Sequence, residues 1–239
     1  MTFGNLLKLE VGKVFKNIYM YILLLLAMVF GSGIIISINL YNGPFDSKNV
    51  IGVYATLSLL FLIIICVKNV LIDFHYKTYY FYFTTAKKRI HYFFVRLIMN
   101  GIVAVLFAGG GAILLIINQI VNHQIFELEN IFLLIAEYAI FTTFFTCIFL
   151  FVTLFYRNVI NLLILFMAIY LILPSMFGIL LRIPNLPAWV EKGIKIIPFY
   201  SVPTYVPTVD LSILQIVTVL LFILLMSFYI VYKIPKVDY

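Results

Sequence analysis

Apolar positions gather into six long runs: Tyr19 to Leu40, Gly52 to Val67, Phe94 to Asn118, Ile131 to Phe155, Val159 to Leu181 and Leu211 to Tyr232. Most of the charge falls in the segments between them. A helix rises ~1.5 Å per residue, so about twenty residues cover a hydrocarbon core of ~30 Å, and each run predicts a transmembrane helix. The second run is short and begins with interfacial residues. Backbone polar groups inside a bilayer must be satisfied within the segment, so the pattern predicts an all-α polytopic membrane protein with six transmembrane helices. The runs consume most of the 239 residues, which predicts one membrane domain over residues 1–239.

Two flanking segments have helical periodicity of a different kind. In residues 1–18, Phe3, Leu7, Val11, Val14, Phe15 and Ile18 fall on one side and Asn5, Lys8, Gly12 and Lys16 on the other, with Glu10 near the boundary. This predicts an interfacial amphipathic helix leading into the first span. A membrane anchor and a partner-binding role are both open for it. In residues 182–210, which hold five prolines and the sole tryptophan, Trp189, a stretch from Ala188 to Ile197 sets Trp189, Ile194 and Ile197 against Glu191, Lys192 and Lys195. That stretch predicts a short amphipathic helix bounded by Pro187 and Pro198, in a segment that caps or re-enters the membrane before the last span.

Charge orients the spans. Lys8, Lys13, Lys16, Lys68, Lys77, Lys87, Lys88, Arg89, Arg96, Arg157, Lys233 and Lys236 fall on one side of the six-span layout, and only Lys48, Arg182, Lys192 and Lys195 on the other. The positive-inside rule then predicts that both termini are cytoplasmic. The net charge of +7 follows from topogenic residues near anionic headgroups and gives no reason to expect nucleic acid. A chain that is 65% hydrophobic and 10% charged has no room for a separate water-soluble domain. The first run is too long, and lacks a small-residue cleavage site, for a cleaved signal; it should remain as a span. Abundant Ile, Phe, Tyr and Asn beside little Ala suggests a low-GC bacterial genome, hence the bacterial cytoplasmic membrane.

The longest connection on the basic side, residues 68–94, carries the most unusual pattern. Asp73 and Lys77 stand four apart, as in a helical ion pair, and an aromatic run from Tyr79 to Phe83 precedes Thr84, Thr85 and the triplet Lys87, Lys88, Arg89. A helix lying in the interface would bury the aromatics and present charge to a cytosolic partner; an aromatic belt with basic flanks explains the composition equally well.

This layout resembles the small six-span permease subunits of type-2 ABC exporters. In that family an acid shortly before Gly-Thr is followed by a Thr-Pro-x-Ser-Arg turn. Here Asp73 takes the acid position, Thr78 the first Thr, Thr85 the second and Arg89 the Arg, with Arg96 at a following basic position. Lys77 replaces the usual Gly, Ala86 the Pro and Lys88 the Ser. The resemblance implies that residues 68–94 form a coupling helix and turn. Asp73, Lys77, Thr78, Thr85, Lys87, Lys88 and Arg89, together with Glu10 on the N-terminal helix, would then face an ATPase. It also implies two copies of a cytosolic ABC ATPase subunit that carry ATP and Mg²⁺, and a second copy of this chain or a similar permease, because six spans are few for an enclosed route. Among such permeases the size and layout look most like those of bacteriocin-immunity and phenol-soluble-modulin export systems, which implies amphipathic peptide cargo.

Little in the chain suggests chemistry of its own. Gly109, Gly110 and Gly111 lack the following GK[ST] of a phosphate loop and, within a span, point to close helix contact or a local distortion. His75, His91 and His123 make no metal-ligand spacing, and no HExxH or G-x-S-x-G appears. Cys66 and Cys147 lie in spans and read as small apolar residues. Neither a catalytic residue, a metal nor a directly bound cofactor is therefore expected. Glu137 is the one acid inside a predicted span and, with Trp189, the candidate for a substrate path; a carboxylate reaching interfacial water or a neighbouring helix is the alternative. Thr142, Thr143, Thr146 and Thr153 on the same span suit helix packing. Export of drugs, lipids or glycan precursors remains open, as do an ion-driven carrier or channel, suggested by Pro174, Ser175 and Gly178 in the fifth run, and an intramembrane peptidase.

Overall fold

A computed structural model describes residues 3–41, 44–76, 84–124, 128–156 and 158–233. Among these residues the chain is all-helical. Helix α1 is Phe3–Phe15, α2 Ile18–Tyr41, α3 Ser47–His75, α4 Ala86–Asn122 and α5 Leu128–Thr153. Helix α6 (Val159–Met167) passes through a π-turn (Ala168–Ile172) into α7 (Leu173–Leu180). Then come α8 (Ala188–Ile196), α9 (Pro198–Tyr205), a 3₁₀ turn (Val206–Thr208) and α10 (Ile213–Lys233). Six segments are long and apolar enough to cross a membrane: α2, α3, α4, α5, the composite α6–α7, and α10. The bundle thus has an N-terminal face, which carries α1, and a far face, which carries α8 and α9.

The spans are unequal in burial. Within their most apolar windows, 61% of α3 and 56% of α4 and of α5 are buried, against 17% for α2, for α6–α7 and for α10. Helices α3, α4 and α5 are therefore the core, and the other three present apolar faces outward. Close approach at the core depends on glycine. A Cβ at Gly110 would lie 2.6 Å from the Tyr54 Oη, and one at Gly111 2.9 Å from the Ile51 Cδ1. The Tyr54 hydroxyl donates to the Phe107 carbonyl at 2.5 Å. The glycine run thus makes a close helix contact, and α4 continues through it without distortion.

Thr142, Thr146 and Thr153 on α5 are buried in the bundle, as helix packing predicts, and satisfy their hydroxyls in two ways. Thr142 and Thr153 donate back to the Tyr138 and Leu150 carbonyls of their own helix, which satisfies a hydroxyl without a partner span. Thr146 reaches across, accepting from Asn100, whose Oδ1 accepts from Asn69. Cys66 and Cys147 are buried free thiols.

Helix ends also differ from the apolar runs. Helix α3 continues eight residues past Val67 to His75, and α4 starts eight before Phe94 at Ala86. Nothing in either extension breaks a helix, and hydropathy falls where Lys and Asp appear although the backbone continues. Lys68 lies within α3, its Nζ 4.7 Å from the Tyr19 ring centroid, so its long stem lets the charge leave the apolar span. At 37 residues α4 is about 55 Å long, well beyond one hydrocarbon thickness.

The fifth span is not broken at Pro174; the helix runs on but is distorted beside it. Proline has no N–H and its ring crowds the preceding turn, and the helix widens into the π-turn just before it. Ser175 donates to the Leu171 carbonyl at 2.8 Å, occupying an acceptor within the π-turn. On the far face, α8 forms between Pro187 and Pro198. Helix α9 packs on α7 and α10, and the 3₁₀ turn on α3 and α5, so residues 188–208 cover that end of the bundle.

Candidate functional site

Arg96 organises the N-terminal face. It stands ten residues into α4, about 15 Å from its start, with a side chain only 2% exposed. Its Nη1 donates to the Glu10 Oε2 of α1 at 2.7 Å, and its Nη2 donates to the Asp73 Oδ2 of α3. Tyr92, one turn earlier, also donates to the Asp73 Oδ2, at 3.0 Å, and lies under the guanidinium. Lys13 reaches the other Glu10 oxygen at 2.6 Å. One planar fork therefore holds three helices, the geometry in which arginine surpasses lysine.

The inward face of α1 consists of Leu6, Glu10 and Val14, spaced four apart. Of the expected apolar stripe, Val14 faces the bundle. Phe15 and Ile18 are exposed, and the acid placed at the boundary faces the bundle. The Arg96 cation compensates the inward Glu10, as a buried charge requires.

The expected coupling residues separate into two groups. Glu10 and Asp73 turn their carboxylates into the protein. Thr85, Lys87, Lys88 and Arg89 lie at the projecting start of α4. Thr85 is its N-cap, with backbone φ −139° and ψ 153°, and its hydroxyl accepts from the Lys88 N–H at 3.3 Å. The residue after the cap, Ala86, is the position where proline is tolerated, which is where the resembled motif has proline. Lys88 Nζ donates to Thr84 Oγ1 at 2.9 Å, and Lys87 is exposed. Lys77 and Thr78 lie outside the described residues, as does any interfacial helix around them.

Glu137 is 2% exposed, on α5 towards the far face. Its Oε1 accepts from the Leu211 N–H at 3.1 Å, just before α10. Next to it, the Ser212 N–H donates to Gln215 Oε1 at 2.9 Å and the Gln215 N–H to Ser212 Oγ at 3.4 Å, a reciprocal cap of α10. Glu137 therefore tethers the entry to the last span, and its Oε2 is buried without a partner among the described residues. Trp189 is 77% exposed on α8 and is not near Glu137 through any bond or ring contact among the described residues. The exposed α8 pair of Glu191 and Lys195, at 2.5 Å, lowers the carboxyl's pKa and raises the amine's, first through their hydrogen bond.

The sequence counted Arg96 among the cations of the long basic connection and matched it to a basic position of the resembled motif, without marking it as a candidate site residue. The available signal was a lone arginine seven residues beyond the basic triplet, already inside an apolar run. Among the described residues no group of three His, Cys, Asp or Glu side chains gathers in metal-binding geometry. No protein-family model matches the chain, and no curated protein matches it significantly.

Proposed function

We propose that this chain is the permease subunit of an ABC exporter in the bacterial cytoplasmic membrane, with both termini cytoplasmic, and that it moves amphipathic or antimicrobial peptides. ATP and Mg²⁺ act on a separate ATPase subunit. The observation that carries the reading is the Arg96 clamp, which ties α1 and the α3–α4 end into one unit continuous with two of the three core spans. A permease without its own nucleotide motif must take its energy through a contact surface. The projecting start of α4, with Thr85, Lys87 and Arg89, offers that surface, and the clamp carries a push there into the core. The outward apolar faces of α2, α6–α7 and α10 suit both lipid and a second permease.

The test is a pull-down of the tagged protein from its native membrane, followed by mass spectrometry and an ATPase assay with amphipathic peptides. The expected result is a stoichiometric P-loop ATPase whose turnover rises with peptide. Purification of the chain alone, without ATP hydrolysis, would overturn the reading. A second reading, an ion-driven carrier, is favoured by the π-turn in the fifth span and by the Glu137 Oε2, which has no partner among the described residues. Ion flux in proteoliposomes without ATP would select it.

A further inference from the structure

A cleft of about 450 Å³ opens at the N-terminal face, between the elbow joining α1 to α2 and the adjoining end of α3. Lys13, Lys16, Asn17, Lys68 and Arg96 line it, along with the acids Glu10 and Asp73. Those acids are engaged: both bond Arg96, and Glu10 also bonds Lys13. Lys16 and Lys68 are exposed and have no carboxylate partner among the described residues, so the cleft carries two cations in excess of its acids. Contact with the Tyr19 ring holds Lys68 at the rim. Helix α2 begins here at Ile18, where the Ile18 and Tyr19 N–H groups precede the helical ladder, the Met20 N–H already donating to the Asn17 carbonyl at 3.1 Å. Lysines, a helix N-terminus and the Asn17 amide surround one space, a donor set suited to a phosphate oxyanion.

The surroundings identify the carrier of that phosphate. Below the cleft, Ile18, Ile22, Leu25 and Val29 of α2 are exposed, as is Ile72 of α3 at the cleft wall. A soluble phosphate would leave that apolar strip unused, whereas a phospholipid would cover it with acyl chains. The surplus of lysine disfavours a headgroup that carries its own cation. We propose that this cleft binds the phosphate of an anionic phospholipid from the leaflet at the N-terminal face, with its chains along α2. The site is independent of the transport reading, since it needs neither cargo nor ATPase.

The test uses the full chain purified in mild detergent, with phosphatidylglycerol and phosphatidylcholine of equal chain length titrated in native mass spectrometry. The expected result is preferential retention of phosphatidylglycerol, reduced about tenfold in the double variant K16Q/K68Q. The variant R182Q/K192Q, which removes equal charge from the far face, should retain wild-type preference. Thermal unfolding without added lipid confirms that each variant is folded. Equal loss in both variants would reduce the effect to net charge and overturn the site. Full competition by millimolar inorganic phosphate or glycerol phosphate would show that the cleft takes a soluble anion and overturn the lipid assignment. If K16Q/K68Q does not fold, the charge-keeping K16R/K68R must retain the preference; its loss there would also overturn the proposal.

Discussion

Arg96 and Glu10 stand 86 residues apart in sequence and 2.7 Å apart in space, joining the first helix to the third span through a buried charged hydrogen bond. Asp73 takes the other arm of the same guanidinium. Two acids thus meet one buried arginine, with Lys13 at the edge supplying the second positive charge, and removal of Arg96 leaves two buried carboxylates with Lys13 alone to compensate them. Such pairs add little net stability over an apolar replacement, yet breaking one is costly.

Arg96→Met is therefore expected to destabilise the protein by about 3–5 kcal/mol. The triple variant E10Q/D73N/R96M should recover most of that loss. Thermal unfolding in detergent, with proteolysis near residues 15–18 as a second readout, checks both. A fully stable single variant would show that Arg96 holds nothing.

Charge reversal at Lys87 and Arg89 should abolish association with an ATPase subunit while leaving insertion and thermal stability unchanged. Asp73→Asn should instead lower stability together with any coupling, because its carboxylate contacts Arg96 and Tyr92. Co-purification and unfolding measured on the same samples separate the two patterns. ATPase binding that survives K87E/R89E would remove the start of α4 from the contact surface.

Glu137→Gln keeps an oxygen that can accept from the Leu211 N–H, and Glu137→Ala does not. The Ala variant is expected to cost about 1–3 kcal/mol and to expose residues 206–212 to protease; the Gln variant should leave both nearly unchanged. A change of peptide-stimulated turnover in the stable Gln variant would assign Glu137 to the cargo path. Unchanged concentration dependence across several peptides would leave it a tether.

Gly110→Val would force a branched side chain against Tyr54 and Leu24, at an expected cost of about 1–3 kcal/mol. Adding Tyr54→Phe removes the nearest atom and should restore part of the loss. The same substitution at Gly109, where a Cβ meets nothing within 4 Å, should be mild. Unfolding midpoints of the three variants decide whether the glycine run serves packing.

The helices were readable because hydropathy averages over about twenty residues, and the lipid requirement makes that average decisive. The short helix from Ala188 was readable from its two flanking prolines and a period, and a distortion of the fifth span from Pro174. Helix ends were not, since α3 and α4 continue as helices after their apolar runs end.

By itself the sequence determined the number of spans, the charge asymmetry and the short helix from Ala188. Tertiary structure alone decided which acids face inward, that Arg96 belongs to the core rather than a loop, and that Glu137 bonds the chain before α10. The reason is physical: a one-dimensional pattern reports the average environment of a segment, whereas a buried charge is placed by the partner that compensates it. Here those partners lie 86, 23 and 74 residues away.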